Sequence, residues 1–428
     1  MKFEYVISGL TMGIDDLYYN KNTAGPYIHH MNQKIINMDT KYNNQNMSIL
    51  FNAHTEKRHG ITMNDTMKHS WNRIFADSGG LQLARTPKGI TSEIKDKVYH
   101  HQAKYCDVAM IFDLLPVEYD LTLTGGNSMK ASSVGRRFVR SDVEKCAIET
   151  RENVKRQIEI FKKENSRAKI MLISQGADVD SWRKYIEVIC DGLDDESLET
   201  MCCGVAPGSQ GIGNHFVHRM EMIYSIKEYQ VPDSLKKNVH LLGVGNPNAL
   251  MPFIISPKYF DFIDNLSYDS SSHASSWFFS RYRDKNYKQR TMDIPMTSKR
   301  NLRDIVLNQL LPIVEDIMND HQEAFKEFNI TDPMDLINNS TKWSVHNKDK
   351  ARKFIRPGGI EGYHLLVWHW VMNTVQHFMD ELNRRQENPH DETGLSNINS
   401  YEEFTKYWLP RQRAPQKVPE HWPARLDV

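Results

Sequence analysis

No cysteine follows Cys203 in this chain of 428 residues, and the five it has (Cys106, Cys146, Cys190, Cys202 and Cys203) form no CxxC pair. That excludes a cysteine-built zinc site in the second half. An odd, scattered set also argues against a disulfide framework, so reduced thiols in a cytoplasm are expected. Any apolar run near the ~18 residues of a membrane span is missing too, and no membrane partner is expected. Met1-Lys2-Phe3-Glu4-Tyr5 lacks the apolar stretch of an export signal, which again points to the cytoplasm. Net charge is absent, since 54 basic residues balance 54 acidic ones. Global steering toward nucleic acid is therefore not expected, and any such contact must come from local patches.

What is present is a succession of short apolar runs, at residues 3–7, 47–51, 73–76, 108–112, 170–173, 201–203, 239–244 and 265–268. Most are continuously apolar, as strands buried on both faces are. Helical patterns lie between several of them. Ser141-Asp142-Val143-Glu144 reads as a capping box, after which Val154, Ile158 and Phe161 recur at i, i+4 and i+7 on a charged background. Phe216, Met220 and Ile223 repeat the pattern before the seventh run, and a helical pattern at residues 247–255 follows it. Alternating strand and helix predicts a parallel α/β architecture, and eight strands favour a (β/α)8 TIM-like barrel over an open sheet. Beyond about residue 300, stretches 302–318 and 363–382 read as long amphipathic helices, and the tail from Tyr407 is rich in Pro, Trp and Arg. The expectation is a barrel over residues 1–300 and a helical C-terminal extension over 301–428.

Five short motifs each follow one of these runs. They are Asp77-Ser78-Gly79-Gly80-Leu81-Gln82, Phe112-Asp113, Ser174-Gln175-Gly176, Gly204-Val205-Ala206-Pro207-Gly208 and Tyr268-Asp269-Ser270. Polar groups gathered at the carboxyl ends of successive strands are how such a barrel builds an active site. Together with Leu241-Leu242-Gly243-Val244-Gly245-Asn246-Pro247, the motifs stand in the order seen in tRNA-guanine transglycosylases, which the chain resembles over roughly residues 70–275. Those enzymes carry a CxCxxC…His zinc site after the last barrel strand, and this chain does not. In that respect it looks more like the DpdA branch, phage and bacterial paralogues that place 7-deazaguanine bases into DNA.

The resemblance implies a pentosyltransferase, a DNA-guanine transglycosylase that exchanges guanine in DNA for a 7-deazaguanine base such as 7-cyano-7-deazaguanine. It would work without a cofactor, although a metal site built without cysteine stays open. DNA and the free base are the expected partners, and the location would be the host cytoplasm if the source is viral. A tRNA substrate and a non-catalytic nucleic-acid-binding paralogue are the alternatives.

Base exchange breaks a glycosidic bond through an oxocarbenium-like transition state, and a carboxylate that traps C1′ and later releases it gives retention. By the resemblance Asp269 is that nucleophile, with the hydroxyls of Ser267, Ser270, Ser271 and Ser272 around it; Asp264 is the competing assignment. Asp77 looks like the general acid/base. Ser78 and Gly79 join the substrate site, and Gly79-Gly80 would let the backbone come close to the base. Asp113 is expected to accept from the N1–H and N2–H2 donors of guanine. Gln175 and the backbone amide of Gly204 would serve the O6 and N7 side. The plainer readings are an Asp-Ser-Gly turn for Asp77, a helix cap for Asp113, a satisfied core amide for Gln175, tight strand packing for Gly204 and a turn cap for Asp269.

A base inside a duplex must be flipped out to reach such a pocket, and phosphate contacts must offset a few kcal/mol of unstacking. Two basic stretches are candidates. One is Arg136, Arg137 and Arg140, in a Gly/Ser-rich insertion over residues 124–140. The other is Arg281, Arg283, Lys285, Lys288 and Arg290, interleaved with Tyr282 and Tyr287. Both are expected on the active-site face, and the tail (Arg411, Arg413, Lys417 and Arg425) is a weaker third. His364, His369 and His377 share a helical pattern with Trp368 and Trp370 and read as core or interface; no metal ligand is assigned, and His273 stays unassigned.

Overall fold

A computed structural model describes residues 1–8, 46–54, 72–80, 90–119, 136–208, 222–244 and 260–270 without a break, together with short segments at 250, 253–254, 281–283, 289–291, 342–349 and 352–358 and isolated helical positions beyond residue 311. Eight of its strands are β1 (Lys2–Ile7), β2 (Asn46–Asn52), β3 (Ile74–Asp77), β4 (Val108–Met110), β7 (Lys169–Ser174), β8 (Cys202–Pro207), β9 (Asn238–Leu241) and β10 (Asn265–Ser270). They close into one barrel in the order β1-β10-β9-β8-β7-β4-β3-β2, and every pairing is parallel. This is the (β/α)8 TIM-like architecture expected from the eight apolar runs. β1, β7 and β10 are each buried at five consecutive positions, which is why their sequences do not alternate.

Helices pack outside this wall. α1 (Ser92–Tyr105) joins β3 to β4 and starts at Thr91, whose hydroxyl accepts from the Ile94 N–H. α2 (Val143–Lys163) joins β4 to β7 and buries Val154, Ile158 and Phe161. Each of those side chains contributes roughly 1.5–3 kcal/mol by leaving water. α3 (Val179–Asp191) and α4 (Asp195–Met201) lie between β7 and β8, and α5 (Asp233–Lys236) precedes β9. Three local expectations need correction. Asp142 has helical backbone angles (φ −91°, ψ −6°) and makes no capping bond, because a short 3-10 turn already leads into α2. The capping box forms instead at Asp178 and Ser181. The sixth run begins one residue late, since Met201 closes α4, and the seventh strand stops at Leu241 before a turn through Gly243 (φ +74°).

The barrel interior is layered. At the amino-terminal end the Glu4 carboxylate takes the Arg73 guanidinium, the Ser48 hydroxyl and the Asn72 amide (3.0 Å). Burial alone would push Glu4 up, but these bonds outweigh it and hold the carboxyl below its usual range. Arg73 also lies over the Phe75 ring at 5.0 Å. Phe75 meets His240 from the opposite strand at 5.4 Å, so both rings fill the lumen. Side chains alternate faces along a strand, and Asp77 and Asp269 therefore occupy the next layer, at the carboxyl-terminal mouth.

Among the described residues, three antiparallel pairs lie outside the barrel. β5 (Val117–Tyr119) pairs with β6 (Arg136–Phe138), β11 (Arg281–Arg283) with β12 (Gln289–Thr291), and β13 (Lys342–Asp349) with β14 (Arg352–Gly358). The last pair adds a hairpin within 301–428, a stretch that the sequence reads as helical. Trp343, Val345, Phe354 and Ile355 lie within a β-rich stretch that the neighbouring helical patterns obscured. Pro312, Glu315, Asn319 and Gln322 are helical and exposed, the first two within the stretch 302–318 that the sequence reads as an amphipathic helix. Phe216 and Met220, the pattern at 363–382 with its histidines, and the tail lie outside the described residues. Among the described residues no helix is long and apolar enough to cross a membrane, and all five cysteines are free thiols.

Candidate active site

Each acidic motif except one rival sits at the carboxyl-terminal mouth. Asp77 is the last residue of β3, beside Asn52 at the end of β2, and the Asn52 amide nitrogen stands 3.5 Å from its Oδ2. Burial pushes the Asp77 carboxyl up to about 6; the Gly79 and Ser78 N–H groups oppose this, and the charges of Asp113 and Asp269 add to it. The turn that supplies those N–H groups requires glycine at residue 79. Its φ is +75°, and a Cβ there would fall 2.9 Å from the Asn52 side-chain oxygen. Ser78 is buried, and its hydroxyl accepts from the Gly80 N–H at 3.2 Å, so it shapes the turn rather than facing outward.

Asp113 follows β4 and is held by the outer helices. Asn153 of α2 donates to the Phe112 carbonyl (2.9 Å), while Thr150 of α2 and Tyr185 of α3 accept from the Leu114 N–H (3.0 and 3.2 Å). Tyr185 also donates to the Leu114 carbonyl at 2.8 Å. The backbone on both sides of the carboxylate is thus fixed. From α1, buried Gln102 donates to the carbonyls of Ala76 (3.0 Å) and Met110 (2.9 Å), tying the ends of β3 and β4 together. Gln157 in turn fixes Gln102 at 2.8 Å.

Gln175 comes next after β7. Its Nε2 donates to Asp113 Oδ2 at 2.5 Å, and its buried Oε1 has no partner. A side chain at Gly208 would overlap this amide. Burial pushes the Asp113 carboxyl up to about 6, against the pull of the Gln175 bond. Gln175 was expected on the O6 and N7 side of a base. Instead it stands with Asp113, committing its nitrogen there and offering its oxygen as an acceptor. Gly204 is not at the mouth. It pairs with Met171, three positions before the Ser174–Pro207 pair that ends the ladder, and a Cβ on it would overlap the Asn238 carbonyl. Tight strand packing accounts for that glycine.

Asp269 is buried at 7% exposure on β10. Its Oδ1 accepts the Gly243 N–H at 2.9 Å and lies 3.4 Å from His240 Nε2. Asp264, the rival, is exposed at the opposite mouth, where its carbonyl accepts from Lys2 and its N–H bonds Lys237. Five residues of strand, about 16 Å, separate the two. Ser267 and Ser270 are buried on β10, while Ser271, Ser272 and His273 lie outside the described residues.

Among the basic residues, Arg136 and Arg137 are on β6, opposite Tyr119 and Glu118 in a hairpin that starts four residues after Asp113. Arg140 pairs with Asp178, the cap of α3, and is engaged in holding that junction. Arg281 and Arg283 are on β11, and Arg290 is on β12 opposite Tyr282. Lys285 and Lys288 lie outside the described residues.

Asn52, Gln102, Thr150, Asn153, Tyr185 and His240 were not singled out from the sequence. The available signal was polarity out of place: Thr150, Asn153 and Gln157 share the buried side of α2, and His240 interrupts an apolar strand. Among the described residues no group of three or more His, Cys, Asp or Glu is placed to hold a metal ion. The arrangement is three carboxyl groups at one mouth, two of them, Asp77 and Asp113, raised to about 6 by burial. No protein-family model and no curated protein matches the chain.

Proposed function

We propose that the chain is a transglycosylase that exchanges guanine in DNA for a 7-deazaguanine base such as 7-cyano-7-deazaguanine. The observation that carries this reading is the gathering of Asp77, Asp113 and Asp269 at one mouth of a closed parallel barrel, with Asp264 at the other. In the first half-reaction a carboxylate oxygen of Asp269 bonds to C1′ as the C1′–N9 bond breaks. The bonding pair leaves with guanine, which takes the proton of Asp77. In the second, ionised Asp77 takes the N9 proton of the incoming base. That nitrogen attacks C1′, and the C1′–O bond to Asp269 breaks, restoring both carboxyl groups. A carboxyl held near 6 is suited to giving and taking a proton around neutral pH.

The donor edge of guanine, N1–H and N2–H2, faces Asp113 and the Gln175 oxygen. Adenine presents no such edge and would leave these buried acceptors unpaired. 7-Deazaguanines keep it. The target base is flipped out of the duplex, and the basic hairpins at Arg136–Phe138 and Arg281–Arg283 are the candidates for phosphate contact.

The test is incorporation of labelled guanine or 7-cyano-7-deazaguanine by purified protein offered DNA and tRNA side by side. Label entering DNA with wild type and not with Asp269→Asn is the expected result. Label in tRNA alone would move the substrate assignment, and label in neither would remove the proposed activity.

A further inference from the structure

His240 is wholly buried in the lumen directly beneath the mouth, packed on Phe75 and flanked by two residues of β10. Its Nδ1 lies 2.9 Å from Ser267 Oγ, and its Nε2 lies 3.4 Å from Asp269 Oδ1 with no closer partner. A buried ring nitrogen left in that state is costly unless it has a task. A neutral ring has two proton arrangements. If Nδ1 carried the proton, it would donate to Ser267, whose hydroxyl would turn to the Val239 carbonyl at 3.5 Å. The lone pair of Nε2 would then face the lone pairs of Oδ1 across 3.4 Å of desolvated interior. If Nε2 carries the proton, Ser267 donates to Nδ1 over the shorter distance, and Nε2–H lies on the side of Oδ1, 3.4 Å away and short of a formed bond. The second arrangement satisfies Nδ1 and the Ser267 hydroxyl and sets opposite partial charges across the 3.4 Å gap, where the first sets two lone pairs against each other.

We infer that His240, in its Nε2–H tautomer, is a positioning residue for Asp269. With the Gly243 N–H it holds Oδ1, so that Oδ2 is the oxygen presented to the mouth. The present 3.4 Å is longer than a formed N–H···O bond, so the ring acts on Oδ1 as a directed dipole. Ser267 is the second link, orienting the ring from below; at 2% exposure it is too enclosed to meet substrate itself. The inference rests on the proposed role of Asp269, but the arrangement of protons can be read without any reaction.

The experiment is 15N spectroscopy of the full-length protein labelled at histidine, followed by single-turnover exchange assays. The buried histidine is expected to show an Nε2–H pattern, with an Nε2–H proton resonance that moves in Asp269→Asn. An Nδ1–H pattern, or a resonance indifferent to Asp269→Asn, overturns the inference. In exchange assays His240→Phe is expected to lower kcat about ten- to a hundredfold with KM for nucleic acid unchanged, and His240→Gln, which keeps an N–H, to restore part of the loss. Full kcat in His240→Phe also overturns it. Absence of exchange in wild type, with the expected spectra, would remove the proposed reaction and leave the positioning of Asp269 standing.

Discussion

The side-chain amide of Gln175 donates to Asp113 at 2.5 Å, joining the last groups of two neighbouring barrel strands across the mouth. The bond commits the nitrogen of Gln175 and leaves its buried oxygen without a partner.

From that bond, Gln175→Ala is expected to act on guanine selectivity more than on stability. It removes one acceptor and the donor that steadies Asp113, a loss of about 1–3 kcal/mol, or roughly ten- to a hundredfold in kcat/KM for the incoming base. Competition between guanine and adenine as free bases measures it. An unchanged ratio would place Gln175 outside recognition.

Asp269→Asn is expected to abolish exchange while leaving nucleic-acid affinity nearly intact, and Asp264→Asn to leave both unchanged. The second expectation follows from the opposite-mouth position of Asp264. Trapping of a covalent nucleic-acid adduct by each variant separates the two aspartates, and an adduct retained in Asp269→Asn would refute the assignment.

Asp77→Asn should stabilise the protein at neutral pH. The folded-state carboxyl is raised to about 6 from 3.8, so the folded chain holds the proton more tightly than the unfolded one between those values. Wild-type stability therefore declines as pH rises from about 4 through 6, and the asparagine, which never ionises, avoids that decline. The gain should reach about 1–2 kcal/mol above pH 7, allowing for the partial exposure of Asp77, and vanish near pH 4. Thermal unfolding of both proteins across that range tests it.

At the other end, Glu4→Gln should destabilise by about 1–3 kcal/mol at pH 7, because Arg73 loses its counter-charge. Glu4 is held below its usual value, so its contribution is present above about pH 4.5 and is lost as pH falls through its lowered folded value. Denaturant titrations at pH 7 and pH 3 should show the gap narrowing; a gap that widens in acid would contradict the ion pair.

Neutralising Arg281, Arg283 and Lys285 together is expected to weaken DNA binding and to flatten its dependence on salt. Affinity measured at several salt concentrations reads the slope, and an unchanged slope would take that hairpin out of the phosphate track.

The barrel was legible because strands buried on both faces must be apolar throughout, and residues 3–7, 108–112 and 170–173 have no other easy reading. Its edges were less so. Met201-Cys202-Cys203 is apolar whether it ends a helix or begins a strand, and the Asp194 cap that reveals α4 lies seven residues upstream of Met201. The capping box at Asp178 has little signature in the sequence, because its reciprocal partner is Ser181, not an acidic residue. The carboxylates of the site were legible since each follows an apolar run. Their supports were not, because Thr150, Asn153 and Tyr185 reach Phe112 and Leu114 across 36 to 71 residues of chain, a separation that no local pattern encodes. Gly204 misled for the opposite reason: a glycine motif after an apolar run looks alike whether it serves a ligand or a neighbouring strand.

The stance of Asp113 is set from outside the lumen, by Thr150 and Asn153 of one helix and Tyr185 of the next. A change of preferred base need not begin among the groups that the base meets. Exchanging any of these three outer residues is expected to shift Asp113 while every group at the mouth keeps its identity. On the proposed activity, the outer helices are a place from which the choice of base can be altered without touching the groups that meet it.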